Sequence, residues 1–130
     1  MVKRMPEIAN AERRRHKRFD VDGIIVSVRR KGRLAHLIGA AQDFNRHGIG
    51  LVIDQPLGKD TLVYLSIRSA YAKIDNIIGI VHNCISQEAG YRCGIQFRTH
   101  SPLQHDRREI EKLLGELEQN FDSMNQGRCN

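Results

Sequence analysis

The chain has 130 residues, a formal net charge of +6 and a sequence pI near 9.6, a length that suits one domain built on one core. Its longest apolar runs fall far short of the ~18 residues that span a bilayer, so a soluble protein without membrane insertion is expected. Three cysteines without CxxC spacing, Cys84, Cys93 and Cys129, argue against a disulfide framework and a zinc site and suit a reduced cytoplasm.

Residues 1–11 lack a sustained period and contain Pro6, so they are expected to form a flexible tail. Lys3, Arg4 and Glu7 are not followed by an apolar stretch, and no secretory signal is expected. The run ERRRHKRFDV at 12–21 then concentrates Arg13, Arg14, Arg15, Lys17 and Arg18, and the positive excess continues through Arg29, Arg30, Lys31 and Arg33. That asymmetry points to an anionic partner: nucleic acid, an anionic membrane or a phosphate-bearing ligand.

From Phe19 the apolar period becomes two. Phe19, Val21, Ile24, Val26 and Val28 alternate with polar or small residues as in a half-buried strand, with a phase slip and expected bulge at Gly23. A turn at KGR (31–33) leads to a second strand over 34–44, and GIGLVID (48–54) gives a third, ended by QPLGKD. Strands four and five are read over 61–69 and 73–86. The sixth, over 90–99, places Tyr91, Cys93, Ile95 and Phe97 on one face and Arg92, Gln96 and Arg98 on the other.

Six short strands separated by turn residues predict an all-β antiparallel barrel or sandwich rather than a βαβ fold. After Ser101 and Pro102 the period changes to that of a helix over 104–121, with Ile110, Leu113, Leu114, Leu117 and Phe121 on one stripe. That stripe is expected to pack on the outside or the open end of the barrel, weakened by Gly115. The final residues, 122–130, read as a loose tail.

No GxSxG elbow, GxxxxGK[ST] loop or HExxH pair is present, so no catalytic residue, no metal ligand and no enzyme activity are predicted. The six histidines, at 16, 36, 47, 82, 100 and 105, are scattered. Cys93 and Cys84 read as small hydrophobes. Two features stand apart. The basic run is rich in arginine, whose planar fork suits phosphate and flat bases, although such a run also suits a solvated arm. In QDFNRHGIGL the side chains of Asp43 and Asn45 share a face, and Gly48 permits positive φ or close backbone approach. This turn reads equally as a binding loop or as an Asx-type turn capped by Asp43.

Together these pieces resemble the PilZ domain family of cyclic di-GMP receptors, marked by RxxxR before the first strand and [DN]x[SA]xxG between the second and third. Among the four clustered arginines only Arg14 and Arg18 satisfy RxxxR, and DFNRHG from Asp43 to Gly48 matches the second element, with Asn45 in place of the usual serine or alanine. The resemblance covers residues 12–121 and implies a six-stranded PilZ-type β-barrel over 19–99, a ligand-binding arm over 12–19 and a C-terminal α-helix over 104–121. It implies cyclic di-GMP as ligand with no further cofactor. Arg14 and Arg18 would engage phosphate and guanine, Asp43 would take the guanine N1 and N2 donors, and Asn45 and Gly48 would shape the wall. Arg13 stands where the family tunes whether one or two stacked nucleotides bind, and Arg15 reads as a further ligand contact or as solvated charge.

An unidentified downstream protein would receive the signal from a domain with no fused enzyme or motor. A small basic barrel binding RNA or single-stranded DNA is the competing reading. It accounts for the pI but asks for stacking aromatics, and the chain has no tryptophan. A structural adaptor whose arm and helix dock partners without nucleotide is the third.

Overall fold

The computed structural model describes the backbone of residues 19–20, 23–70 and 72–129 and the side chains of 23–70 and 72–121. The arginine run with Arg13, Arg14, Arg15 and Arg18 lies outside the described residues. In chain order the elements are β1 (Phe19–Asp20), β2 (Ile25–Arg30), β3 (His36–Asn45), β4 (Gly48–Ile53), β5 (Leu62–Arg68), β6 (Lys73–Gln87), β7 (Gly90–Phe97) and helix α1 (Arg107–Cys129).

Strands β3, β2, β5, β6, β7 and β4 pair antiparallel in that order, and β4 returns to β3, so six strands close into a barrel without a free edge. The first expected strand is in fact two. Gly23 holds φ at +77°, a left-handed conformation that interrupts pairing. On its N-terminal side β1 pairs Phe19 with Phe44 and Asp20 with Asp43, while β2 runs along the earlier part of the same β3 flank.

The barrel interior is filled by Val26 and Val28, Cys93 and Ile95, as the alternation predicted, together with Leu51 and Ile53, Val63, Leu65 and Ile67. At one end Phe44 of β3 meets Phe97 of β7 and Phe121 of α1 with ring centroids 6.2 and 6.1 Å away. Ile110, Leu114, Leu117 and Phe121 are buried with the barrel core and Leu113 packs beside them, so the helical stripe closes this end.

Helix α1 differs from expectation at both ends. Asp106 adopts φ +55°, which a right-handed helix cannot include, so α1 starts at Arg107 rather than at 104. Gln104 serves β6 instead: its Oε1 accepts the Ile78 N–H and its Nε2 donates to the Asn76 carbonyl. Beyond Phe121 the helix runs on to Cys129, where a loose tail was expected, because adding a residue to a nucleated helix costs far less than starting one.

A methyl group on Gly115 would sit 3.5 Å from the Arg46 guanidinium carbon, an ordinary contact. Glycine in a helix interior costs about 1 kcal/mol relative to alanine. Gly115→Ala is therefore expected to raise unfolding free energy by about 0.5–1 kcal/mol in urea titration, with an unchanged slope.

Candidate functional site

A bulge in β3 decides where the DFNRHG motif points. Leu37, Gly39 and Ala41 alternate into the interior, but the register with β4 then passes from Ala41 opposite Leu51 to Asp43 opposite Gly50, leaving Gln42 as an extra residue. The alternation shifts by one position, so Phe44 enters the core and Asp43 and Asn45 share the outer face.

On that face Asp43 Oδ2 accepts a hydrogen bond from Arg92 Nη2 of β7 at 2.6 Å, within an ion pair only partly open to solvent. Gln42 Oε1 accepts from Arg92 Nε at 2.8 Å, so the bulged residue and the motif aspartate hold one guanidinium together. Asp43 opposes Gly50 on β4, Gly50 opposes Gly94 on β7, and Gly94 opposes Asn83 on β6. A Cβ on Gly50 would lie 2.7 Å from Asp43 Oδ1, and one on Gly94 would lie 3.0 Å from Asn83 Oδ1. These four residues form a row across four strands, a trough in which the Asp43 and Asn83 side chains at the ends lie over the two glycines between them. Arg92 borders this trough on one side and Gln96, opposite Gly48, on the other. The row brings a carboxylate, amides and a guanidinium to one face of the wall, a donor and acceptor set that suits the edge of a planar group.

The turn after β3 is built by Asn45. Its Oδ1 accepts the backbone N–H groups of His47 at 2.8 Å and Gly48 at 3.0 Å, an Asx-type turn capped by Asn45 rather than by Asp43. Asn45 is 2% exposed, so this local task occupies much of it. Gly48 opens β4 without a left-handed φ, which among the described glycines is found at Gly23, Gly32 and Gly90. Gly48 is buried at the end of the trough, with its backbone N–H taken by Asn45.

Arg46, in the same turn, is clamped to α1. Glu118 Oε2 accepts its backbone N–H at 2.9 Å and Oε1 accepts its side-chain Nε at 2.8 Å. Beyond Arg46 and His47 a cleft of about 730 Å³ continues past Gln96 and Arg98 to Thr99 and Glu111. Thr99 donates to Glu111 Oε2 at 2.7 Å and, with Arg107, holds that carboxyl below its ordinary pKa.

The structure thus brings Asp43, Asn45 and Gly48 together as the spacing foresaw, and adds Arg92, Asn83, Gly50 and Gly94, which sequence reasoning did not single out. Alternation did place Arg92 on the outer face of β7. The available hint for the floor was glycine at 48, 50 and 94, since strand glycines mark close backbone approach.

A family model described as the PilZ domain matches residues 12–116. The chain belongs to the PilZ family. Its PilZ match takes in the arginine run, the DFNRHG turn, the whole barrel and the first part of α1. Among solved structures, the PilZ domain with c-di-GMP of YcgR from Escherichia coli is similar with a TM-score of 0.66 at 12% identity, covering 90% of this chain and 97% of that one. YcgR in complex with c-di-GMP from the same organism gives 0.63 at 14%, covering 88% of this chain and 50% of that one. The Borreliella burgdorferi PlzA protein in complex with c-di-GMP gives 0.54 at 15%, covering 85% and 43%. At these identities the likeness shows the PilZ fold, and the chain spans only about half of the latter two proteins. The comparison with curated proteins gives no match. Among the described residues, no helix is long and apolar enough to cross a membrane.

Proposed function

We propose that this protein is a cyclic di-GMP receptor that changes the conformation of its N-terminal arm on binding and signals to a partner protein. The observation that carries the reading is the trough on the outer barrel wall: Asp43 and Asn83 at the ends of a Gly50–Gly94 floor, with Arg92 fixed beside Asp43. Membership of the PilZ family, and the cyclic di-GMP complexes among its structural neighbours, support the choice of ligand.

Each group has a task. A carboxylate offers about four lone-pair sites, so Asp43 can keep Arg92 and accept the N1–H and N2–H of a guanine. Arg92 neutralises Asp43 and faces a ligand that brings two phosphodiester charges. Asn45 acts through the turn it caps, setting the backbone of Gly48 at the rim. Arg14 and Arg18 come from the arm. Strand β1 pairs with β3, with Asp20 opposite Asp43, so Arg18 and Arg14, one and five residues before Phe19, would have the wall within about 18 Å of chain reach. Arg13 and Arg15 add charge, and the arginine at 13 is compatible with either one nucleotide or a stacked pair. Ordering the arm costs about 1–2 kcal/mol per residue of backbone, so its conformation depends on ligand occupancy and a partner can read it. No catalytic group takes part in this reading, and the protein acts as a non-enzymatic cytoplasmic receptor.

Titration calorimetry with cyclic di-GMP tests the reading directly: saturable binding supports it, and absence of heat at millimolar ligand sinks it. Salt-sensitive retention of oligonucleotides of any sequence on filters would instead favour the nucleic-acid barrel. Asp43→Ala is expected to weaken cyclic di-GMP binding by about 10–100-fold, the worth of one good bidentate base contact, and to narrow the preference over cyclic di-AMP. An unchanged competition profile would remove guanine recognition from Asp43.

A further inference from the structure

Cys84 of β6 and Cys93 of β7 are directly opposed in the strand register, and the Cys93 thiol donates to the Cys84 sulfur at 2.8 Å. Both are free thiols in this structure. Directly opposed antiparallel residues have Cα atoms about 4.5–5.5 Å apart, inside the ~4.4–6.8 Å range that a disulfide accepts. The sulfurs need to close by about 0.8 Å to reach the ~2.05 Å of a covalent bond, so no strand has to move. Two small core hydrophobes do not require this pairing.

The two thiols differ in access. Cys93 is 0% exposed, whereas Cys84 is half-buried at the edge of the core and accepts the Leu57 backbone N–H at 3.4 Å. We propose that Cys84 and Cys93 form an oxidation site at which a hydroperoxide, hydrogen peroxide in the simplest case, closes an intramolecular disulfide across β6 and β7.

Burial and the adjacent sulfur push the Cys93 thiol up to about 12, so Cys93 keeps its proton and Cys84 is the sulfur that meets the oxidant. The Cys84 thiolate attacks one peroxide oxygen, the O–O bond breaks, and the second oxygen leaves with the electron pair and takes up a proton as water. Cys84 is then a sulfenic acid. The Cys93 sulfur attacks the Cys84 sulfur, the S–O bond breaks, and the departing hydroxide takes the Cys93 proton as a second water. Two thiols and one peroxide thus give one disulfide and two waters, with two electrons passing to the peroxide. The bond lies directly behind Asn83 and Arg92, the chain neighbours of the two cysteines, and ties together the strands that carry them.

The test treats the full chain, carrying Cys129→Ser to prevent links between molecules, with a few equivalents of hydrogen peroxide. It is then alkylated under denaturing conditions, digested and analysed by mass spectrometry. The expected result is loss of alkylation at both Cys84 and Cys93, a linked peptide pair lighter by two hydrogens, and full recovery of both thiols after dithiothreitol. Cys84→Ala is expected to leave Cys93 alkylated after the same treatment. The proposal is overturned if peroxide leaves both thiols of the Cys129→Ser chain open to alkylation, or converts Cys84 to sulfinic acid without a link to Cys93.

Discussion

Arg14→Ala and Arg18→Ala are each expected to lower cyclic di-GMP affinity by about 100-fold while leaving thermal unfolding in place. A hydrogen bond to a charged group is worth about 1.5–3 kcal/mol, and each 1.4 kcal/mol is tenfold in affinity, so losing one forked contact to phosphate or guanine reaches that size. Stability should hold, because the core is assembled from residues between Ile24 and Phe121 and both arginines precede β1. Paired calorimetric titration and thermal melts separate the two quantities. Wild-type affinity in both variants would leave the arm without a role and return the arginine run to solvated charge. Loss of the melt along with binding would instead make the run part of the fold.

Phe44→Ala carries the largest expected structural effect. The ring is fully buried where the barrel meets α1, and both Phe97 and Phe121 rest against it. Truncating such a ring costs about 3–5 kcal/mol, a large share of the roughly 5–15 kcal/mol that holds a domain together, and the melting temperature should fall by of the order of 10–20 °C. Phe44 also sits between Asp43 and Asn45, so loosening it frees the two motif side chains that its burial orients. A fall of less than about 3 °C by scanning calorimetry would show that the helix closes the barrel end without this ring.

Period-two patterning was strong enough to locate the six barrel strands and to mark Val26 and Val28 of the first and Cys93, Ile95 and Phe97 of the last as inward, because burial on one side imposes alternation whatever the neighbours are. What it could not carry was anything fixed by a backbone angle or by a partner distant in the chain. Gly23 was visible as a phase slip, yet only its left-handed φ shows that Phe19–Asp20 is a separate strand. The start of α1 depends on Asp106 in the same way. Asp43 and Asn45 were legible as a pair, but their roles were not: the cap of the turn falls to Asn45, and Asp43 is bound to Arg92, 49 residues away. That ion pair needs β4 and β7 to be neighbours, a fact of topology rather than of local sequence.

The clamp between Arg46 and Glu118 has a thermodynamic corollary. It joins the turn that borders the trough to a helix whose far side is open to other molecules, so the two surfaces share one free-energy cycle. If the turn contacts ligand as proposed, a protein that grips α1 and draws Glu118 away from Arg46 would change the affinity of the turn for that ligand. The ligand must then change that protein's grip by the same factor, in the same direction. In the proposed receptor, reciprocity of this kind would let a closed barrel relay between ligand and partner without bending.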